Sequence, residues 1–519
     1  MSYDDSHIFS KDRLIRIFNE CINKTLGEVD KNHVFDKTIS NPKITGIAGD
    51  VIEQSVLGYP ADQRQEPDLL VDGIKVELKT TGIKKSKNDK EKEDTKQVSY
   101  NIQQNDLFAV AEQDIEYGRT ITYEAKEPMS ITAVSPKTIV KEEFNDSNFW
   151  HKLEHLLLVY YLYDSETTVT AADYAKFPIK GFEFHDFSKE DKAILQNDWQ
   201  IVHDFIQYLQ SNYSIPENEY PRISHELRSK LMYIDTAPKW PNPPRFRLKR
   251  SFVTTMVQNY FGNKTEILPE TVSKYSDIDK KCAEIESLYK GLTVEQLAYQ
   301  LKLQTKKINK SIGEQLVIKM FNGTSGKMND IDIFRKAGIL GKTIVLNVEG
   351  KGTEDFKFFS IDFDEIKKTE ISFEDSSFYK YFAEHMFLCV IFKEPYKPAS
   401  GHTIPLSQNK FVGFKRIVID EEFIQKEVKK TWLEIRDLVN NNKLVDVIER
   451  DKFGNPKINK TGVVSSAPNF PKSKTNVVFV RGTSADSTVK NECVNGIQMY
   501  IQDIWIKRKI FLSMIQQNQ

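Results

Sequence analysis

Cysteine is scarce in this sequence, and its four copies (Cys21, Cys282, Cys389 and Cys493) show no CxxC spacing. That excludes a zinc ribbon or a disulfide framework and makes a reducing, cytoplasmic setting the default expectation. No hydrophobic run approaches the roughly 20 residues that cross a bilayer. The acidic opening MSYDDSHIF is unlike a signal peptide, so no membrane partner is expected. Charge of one sign is also missing. A net charge of −1 argues against indiscriminate polyanion binding but leaves room for local basic surface. The nine histidines form no HxH or HExxH set, and His151 and His155, four apart, read as packing or surface groups. GILGKT (Gly338 to Thr343) is too short for a phosphate-binding loop, because Lys336 stands where the first glycine belongs. What remains is an ordinary soluble composition with a mean hydropathy of −0.49, long enough for two or more domains with proper cores.

The stretch Glu66 to Thr80, EPDLLVDGIKVELKT, carries the first chemical signal. Asp72-Gly73 between apolar-rich runs is a strong two-residue hairpin signal. A turn there pairs Val71 with Ile74, Leu70 with Lys75, Leu69 with Val76, and Asp68 with Glu77. The two carboxylates would then lie roughly 4.5–5.5 Å apart at Cβ. Like charges about 5 Å apart repel by roughly 3 kcal/mol at an effective dielectric near 20, which calls for a cation. Alternation puts Ile74, Val76 and Leu78 on one face and Glu77 and Lys79 on the other. The pattern is a hard-metal site with an ammonium beside it. Its chemistry would be phosphodiester hydrolysis, with Mg²⁺ held by Asp68, Glu77 and the Leu78 carbonyl. Lys79 would orient or deprotonate the attacking water and offset developing charge. Glu53, one turn into the helix after Gly49, could hold a second metal or an ordered water.

The chain also repeats itself. Thr25-Leu26 lines up with Thr293-Val294, Gly49 with Gly313, Lys79-Thr80 with Lys342-Thr343, and Glu154-His155 with Glu384-His385. LKRSFVTTMV (Leu248 to Val257) matches IKRKIFLSMI (Ile506 to Ile515). Two homologous α/β domains follow, a catalytic one over 1–262 and a degenerate one over 283–519, joined by a polar linker over 263–282. The chemistry survives once. Val317 stands for Glu53, Leu340 for Glu77 and Phe382 for Lys152, whereas Asp332 and Lys342 persist. Glu349-Gly350-Lys351 mimics the ExK spacing but falls after the matched strand. IKKSKNDKEKEDTK (Ile83 to Lys96) reads as a solvated flap, and LTVEQLAYQLKLQTKKINKSI (Leu292 to Ile312) as the first helix region of the second domain.

The run GDVIEQSVLGYPADQRQEPDLLVDGIKVELKTTGIKK resembles the catalytic core of the MutH family of GATC-directed endonucleases. NKTLGEV, HKLEHLLLVYYL, NDWQIVHDFI and FRLKRSFVTTMV are similar to further segments of that family, in order. The two-domain form resembles the family's larger type II restriction enzymes. The resemblance implies two tandem restriction-endonuclease-like (MutH-like) α/β domains, each a mixed central sheet flanked by helices. It implies metal carboxylates at Glu53, Asp68 and Glu77, the strand lysine at Lys79 and a further active-site lysine at Lys152. DNA contacts are implied at Lys239 and Arg247 for bases, at Lys249 for phosphate, and at Arg481 and Lys507 in the second half. Two features depart from the family. The Asp68 to Glu77 spacing is two residues longer than in the mismatch-repair enzyme, which a hairpin absorbs in whole pairs. YIDTAPKWP also lacks the arginine that usually precedes Pro-Lys in the base-reading loop.

The resulting expectation is a type II restriction endonuclease making Mg²⁺-dependent double-strand cuts at a GATC-like site. Its partners are double-stranded DNA, a second copy on DNA, and a cognate DNA methyltransferase as a genetic partner. The alternatives are a mismatch-repair-type nicking enzyme, for which one domain suffices, and a non-catalytic DNA-binding regulator, which would leave Glu53, Asp68, Glu77 and Lys79 unexplained.

Overall fold

The computed structural model describes residues 5–519 except 61–65, 87–114, 117–118, 121, 166–168, 238–241, 304–307, 309–310, 400–401, 452, 459–461, 463, 485–487 and 518–519. Two compact units emerge. The first comprises 1–278 with 329–338, and the second 279–328 with 339–519.

The strands of the first unit that build its two larger sheets are β1 (Ile8–Phe9), β2 (Leu69–Val71), β3 (Ile74–Lys85), β4 (Tyr123–Ala125) and β5 (Met129–Ala133). They continue with β6 (His155–Leu162), β7 (Ile179–Asp186), β8 (Ile234–Asp235) and β9 (Arg245–Leu248). The main sheet runs β1-β2-β3-β6-β7, with β4 also on β3. Asp72 and Gly73 both take positive φ (48° and 85°), the mirror-image turn that matches strand twist. The hairpin register is the expected one, Leu69 with Val76, Leu70 with Lys75 and Val71 with Ile74. β3 then runs parallel to β6, with Glu77 opposite Leu156. Burial on both sides explains the near-continuous apolar run of β6. A smaller sheet, β8-β9-β5, stands apart from the main one.

The segment Asn329–Gly338 belongs to the first unit although it follows in sequence the opening helices of the second. Within it, the helix Asp332–Lys336 is fixed by a largely buried triad. Lys336 Nζ lies 2.8 Å from both Asp191 oxygens and 2.8 Å from Asp332.

The second unit rebuilds the same core with β10 (Ile339–Leu346), β11 (Phe356–Ser360), β12 (Met386–Lys393) and β13 (Lys410–Ile417). β10 is parallel to β12, and β12 antiparallel to β13. Equivalences between the halves can be read from local geometry. Thr25 and Thr293 both form capping boxes. A Cβ on Gly49 would meet Thr80 Oγ1, and one on Gly313 would meet Thr343 Oγ1. A bulge follows Tyr160, opposite Gly181, and another follows Ile391, opposite Gly413. Through these registers Leu340 stands where Glu77 does, and Val317 where Glu53 does. One expected match shifts. The registers set His155 against Met386 rather than His385, so the paired Glu-His dipeptides are one residue out of step. Asp332 is a second correction, because it opens a helix and pairs with Lys336 instead of lying on a hairpin.

Candidate active site

Strand alternation divides β3 into two faces. Val76 and Leu78 enter the core of the first unit with Leu69, Val71, Val51 and Leu157. Glu77 and Lys79 project from the opposite face, and there Glu77 is 1% exposed. A lone buried carboxylate would be costly, and this one is doubly matched. Lys79 Nζ lies 2.5 Å from Glu77 Oε1, and Lys152 Nζ lies 3.0 and 3.1 Å from Oε1 and Oε2. Lys152 reaches it because the short helix Asn148–His151, capped by Ser147, ends immediately before β6, whose Leu156 faces Glu77.

Asp68 completes the centre. Its Oδ2 accepts the Leu78 N–H at 2.9 Å, and its own carbonyl lies 2.8 Å from His7 Nδ1. Burial, and then the neighbouring charge of Glu77, push the Asp68 carboxyl up to about 6, against the pull of Lys79. Desolvation alone would lower Lys79, but Glu77 and Asp68 outweigh it and hold the ammonium above its ordinary value. An ammonium so held can orient a water and offset charge. Removing that water's proton requires the neutral amine, which this arrangement disfavours.

Glu53 lies in a π-helical turn, Ile52–Leu57, that continues the helix Ile47–Val51. Its Oε1 and Thr80 Oγ1 are 3.9 and 3.6 Å from where a Gly49 Cβ would be. Thr80 shares the parity of Leu78, so Glu53 approaches β3 from the core-helix side. Its charge still acts on Lys79. Among the described residues no three His, Cys, Asp or Glu side chains converge on one metal position. The fit to a hard ion therefore rests on the pair Asp68 and Glu77 with the Leu78 carbonyl. That donor set is all oxygen, which suits a hard ion.

The small sheet orients the other predicted residues. Arg247 makes a two-pronged pair with Asp235 across β8 and β9, at 2.8 and 3.1 Å. Lys249 turns inward, contrary to the phosphate contact expected of it. Its Nζ donates to the Leu231 carbonyl at 2.5 Å, and burial pushes it down to about 8. Nearby, Asp198 accepts the N–H groups of Met232, Tyr233 and Ile234. Lys239 lies outside the described residues. In the second unit Arg481 pairs with Asp355 at 2.9 Å and stacks near Phe479 and Trp505, and Lys507 immediately precedes the helix Arg508–Gln517. There Lys342 has no carboxylate like Glu77 beside it in the strand. It donates to the Lys357 carbonyl, and burial pushes it down to about 8. Glu349 and Lys351 pair in an exposed turn after β10.

Sequence reasoning missed His7, Asp198 and Asp235. Asp235 had a legible signal, lying just before the reading loop. His7 had none, because it meets Asp68 only once β1 pairs with β2.

Carboxylates and lysines on and beside the central strand of a mixed sheet define a site of the restriction-endonuclease type. Residues 57–198, which contain Asp68, Glu77, Lys79 and Lys152, match the family model described as DNA mismatch repair enzyme MutH. Over 411 residues the chain is 22% identical to the type II restriction enzyme Sau3AI of Staphylococcus aureus, covering 74% of this chain and 72% of that one. The chain thus resembles the MutH family over that segment, which lies within its first unit.

Proposed function

We propose that this protein is a type II restriction endonuclease that cuts both strands of DNA at a GATC-like site in a Mg²⁺-dependent reaction. One observation supports this reading above the rest: Glu77 is buried between Lys79 and Lys152, with Asp68 beside it. Asp68, Glu77 and the Leu78 carbonyl would hold the ion, with Glu53 at the margin holding an ordered water or a second ion. When bound, Mg²⁺ supplies Lewis-acid polarisation of the scissile phosphate. Lys79 orients the attacking water and Lys152 offsets the charge that builds on the phosphate. Arg247, already aimed by Asp235, and Lys239 would read bases, while Lys249 and Asp198 hold the base of that reading segment.

The second unit has Leu340 and Val317 in place of Glu77 and Glu53. We read it as catalytically silent and DNA-binding, with Arg481 and Lys507 as contacts and residues 263–282 as the linker between the halves. The protein would work in the cytoplasm, meet a second copy on DNA, and share a locus with a DNA methyltransferase. No helix among the described residues is long and apolar enough to cross a membrane. Incubating the protein with a plasmid bearing GATC sites tests the reading. Linear products with Mg²⁺ and none with EDTA would support it, and nicked circles alone would point to a repair-type enzyme.

A further inference from the structure

In the second unit the chain between the helix Lys429–Asn440 and β16 (Val478–Thr483) does something its first-unit counterpart does not. There the path from the helix Lys189–Asn212 to β8 makes short helical turns, Pro216–Arg222 and Ile223–Glu226. Here it forms a ribbon, β14 (Asp446–Ile448) antiparallel to β15 (Ser466–Pro468). Backbone bonds extend the ribbon from Glu449 to Ser465 and Lys457, and bridges join Arg450 to Pro456 and Ile458 to Val464. Its tip is a built turn. Asp451 Oδ1 accepts the N–H groups of Phe453 and Asn455, Gly454 takes φ +87°, and the Gly454 carbonyl accepts from Arg450.

Two properties of this arm point to a partner. Its apolar side chains face water: Phe453 at the tip is 76% exposed and Ile458 66%, with Val447 and Ile448 also exposed. A thin ribbon has no core of its own in which to bury them. It is also basic within a chain of net charge −1, with six Lys or Arg against three Asp or Glu over residues 445–474. Of the acids, Asp451 is engaged by the turn, and Glu449 and Asp446 lie 3.7 Å from Lys457 and Lys490. At its base a cleft of about 260 Å³ is lined by Lys472, Arg481, Lys490 and Tyr500. An aromatic tip with basic flanks is complementary to a duplex groove, where lysines and arginines meet phosphates and an apolar wedge enters a base step.

We propose that this ribbon is a DNA-groove wedge. Arg450 and Lys457 contact the phosphates on either side, and Phe453 enters between base pairs and bends the duplex. The inference rests on the reading of the second unit as DNA-binding and names the element that does it. The test uses the full chain in EDTA, so that DNA stays intact, with end-labelled duplexes reporting affinity by anisotropy and bending by energy transfer. Phe453→Ala should weaken binding by between about fivefold and a hundredfold and reduce bending without changing the salt slope. Phe453→Trp should restore both. Arg450→Ala with Lys457→Ala should lower the slope of log K against log salt by about two. Wild-type binding by all ribbon variants, alongside weakened binding by Arg481→Ala with Lys490→Ala, overturns the wedge but leaves the second unit as a DNA binder. No change in any of them overturns both. Ribbon variants that alter sedimentation without DNA, and leave DNA binding intact, assign the surface to a second copy and also overturn the wedge.

Discussion

In the proposed mechanism Glu77 is the residue on which the chemistry turns, because two lysines are arranged around its carboxylate. Glu77→Ala would remove a proposed metal ligand and leave Lys79 and Lys152 facing each other. Cleavage should fall by at least about a hundredfold, as for loss of other charge-stabilising groups in active sites. Asp68→Ala and Lys79→Ala should do the same while DNA binding persists, and Glu349→Ala should cut normally. Single-turnover plasmid cleavage with a parallel binding titration checks all four. Near-normal cutting by Glu77→Ala would sink the assignment. A second residue carries a pH signature. Glu183 on β7 accepts the Tyr160 hydroxyl, and burial pushes its carboxyl up to about 7. A folded value above the unfolded one means that its stabilising contribution is complete below about pH 4.5 and is lost as pH rises through about 7. Its contribution to stability should therefore decline by up to about 3 kcal/mol across that window. Glu183→Gln should flatten that decline and raise the urea midpoint at pH 8, and an unchanged pH profile would contradict the assignment.

At the scale of elements, the helix Asp332–Lys336 ties a late stretch of sequence into the first unit. Ser251 donates to the Lys336 carbonyl, Thr265 to Asp332, and Arg335 to Gln258. Lys336→Ala would leave Asp191 and Asp332 buried without their cation, a change that typically costs about 3–5 kcal/mol. The unfolding transition of the first unit should move to lower urea. A Lys336→Ala protein as stable as wild type would show the segment to be a passenger. This tie explains where sequence reading stopped. The hairpin was legible because Asp72-Gly73 and strict alternation act over a few residues, so the places of Asp68, Glu77 and Lys79 followed from counting. The repeat was legible through short local motifs such as Thr25 and Thr293. Asp332 was misread because its partners Asp191 and Thr265 lie far away in sequence. Lys249 was expected on phosphate because a lysine at a helix start reads as surface, and only the fold turns its Nζ to the Leu231 carbonyl. Register within parallel strands leaves no local mark, which is why the Glu-His dipeptides were matched one residue out of step.

For the whole molecule the proposed activity raises the question of how one centre would cut two strands. The first unit has Glu77 between two lysines, whereas the second has Leu340 at that place and a lysine, Lys342, that donates only to a backbone carbonyl among its described hydrogen bonds. Glu77 and Glu53 thus have Leu340 and Val317 at their places, and on the proposed reading the second unit supplies no second hydrolysis. A palindrome must then be cut either by two chains meeting on it or by one chain that nicks, releases and returns. A DNA-binding second unit favours meeting, because holding another site nearby raises the effective concentration of the partner chain. Cleavage should run faster on a plasmid with two sites than on one with a single site, at protein concentrations below the dissociation constant. Adding a short cognate duplex in trans should recover part of the difference on the one-site plasmid. Phe453→Ala should narrow the gap between the two plasmids while leaving the slower, one-site rate in place. Equal rates on both plasmids would remove the effector role from the second unit, and the assignment of Asp68, Glu77 and Lys79 would stand unaffected, since it depends on the geometry of the β2–β3 hairpin and the residue before it.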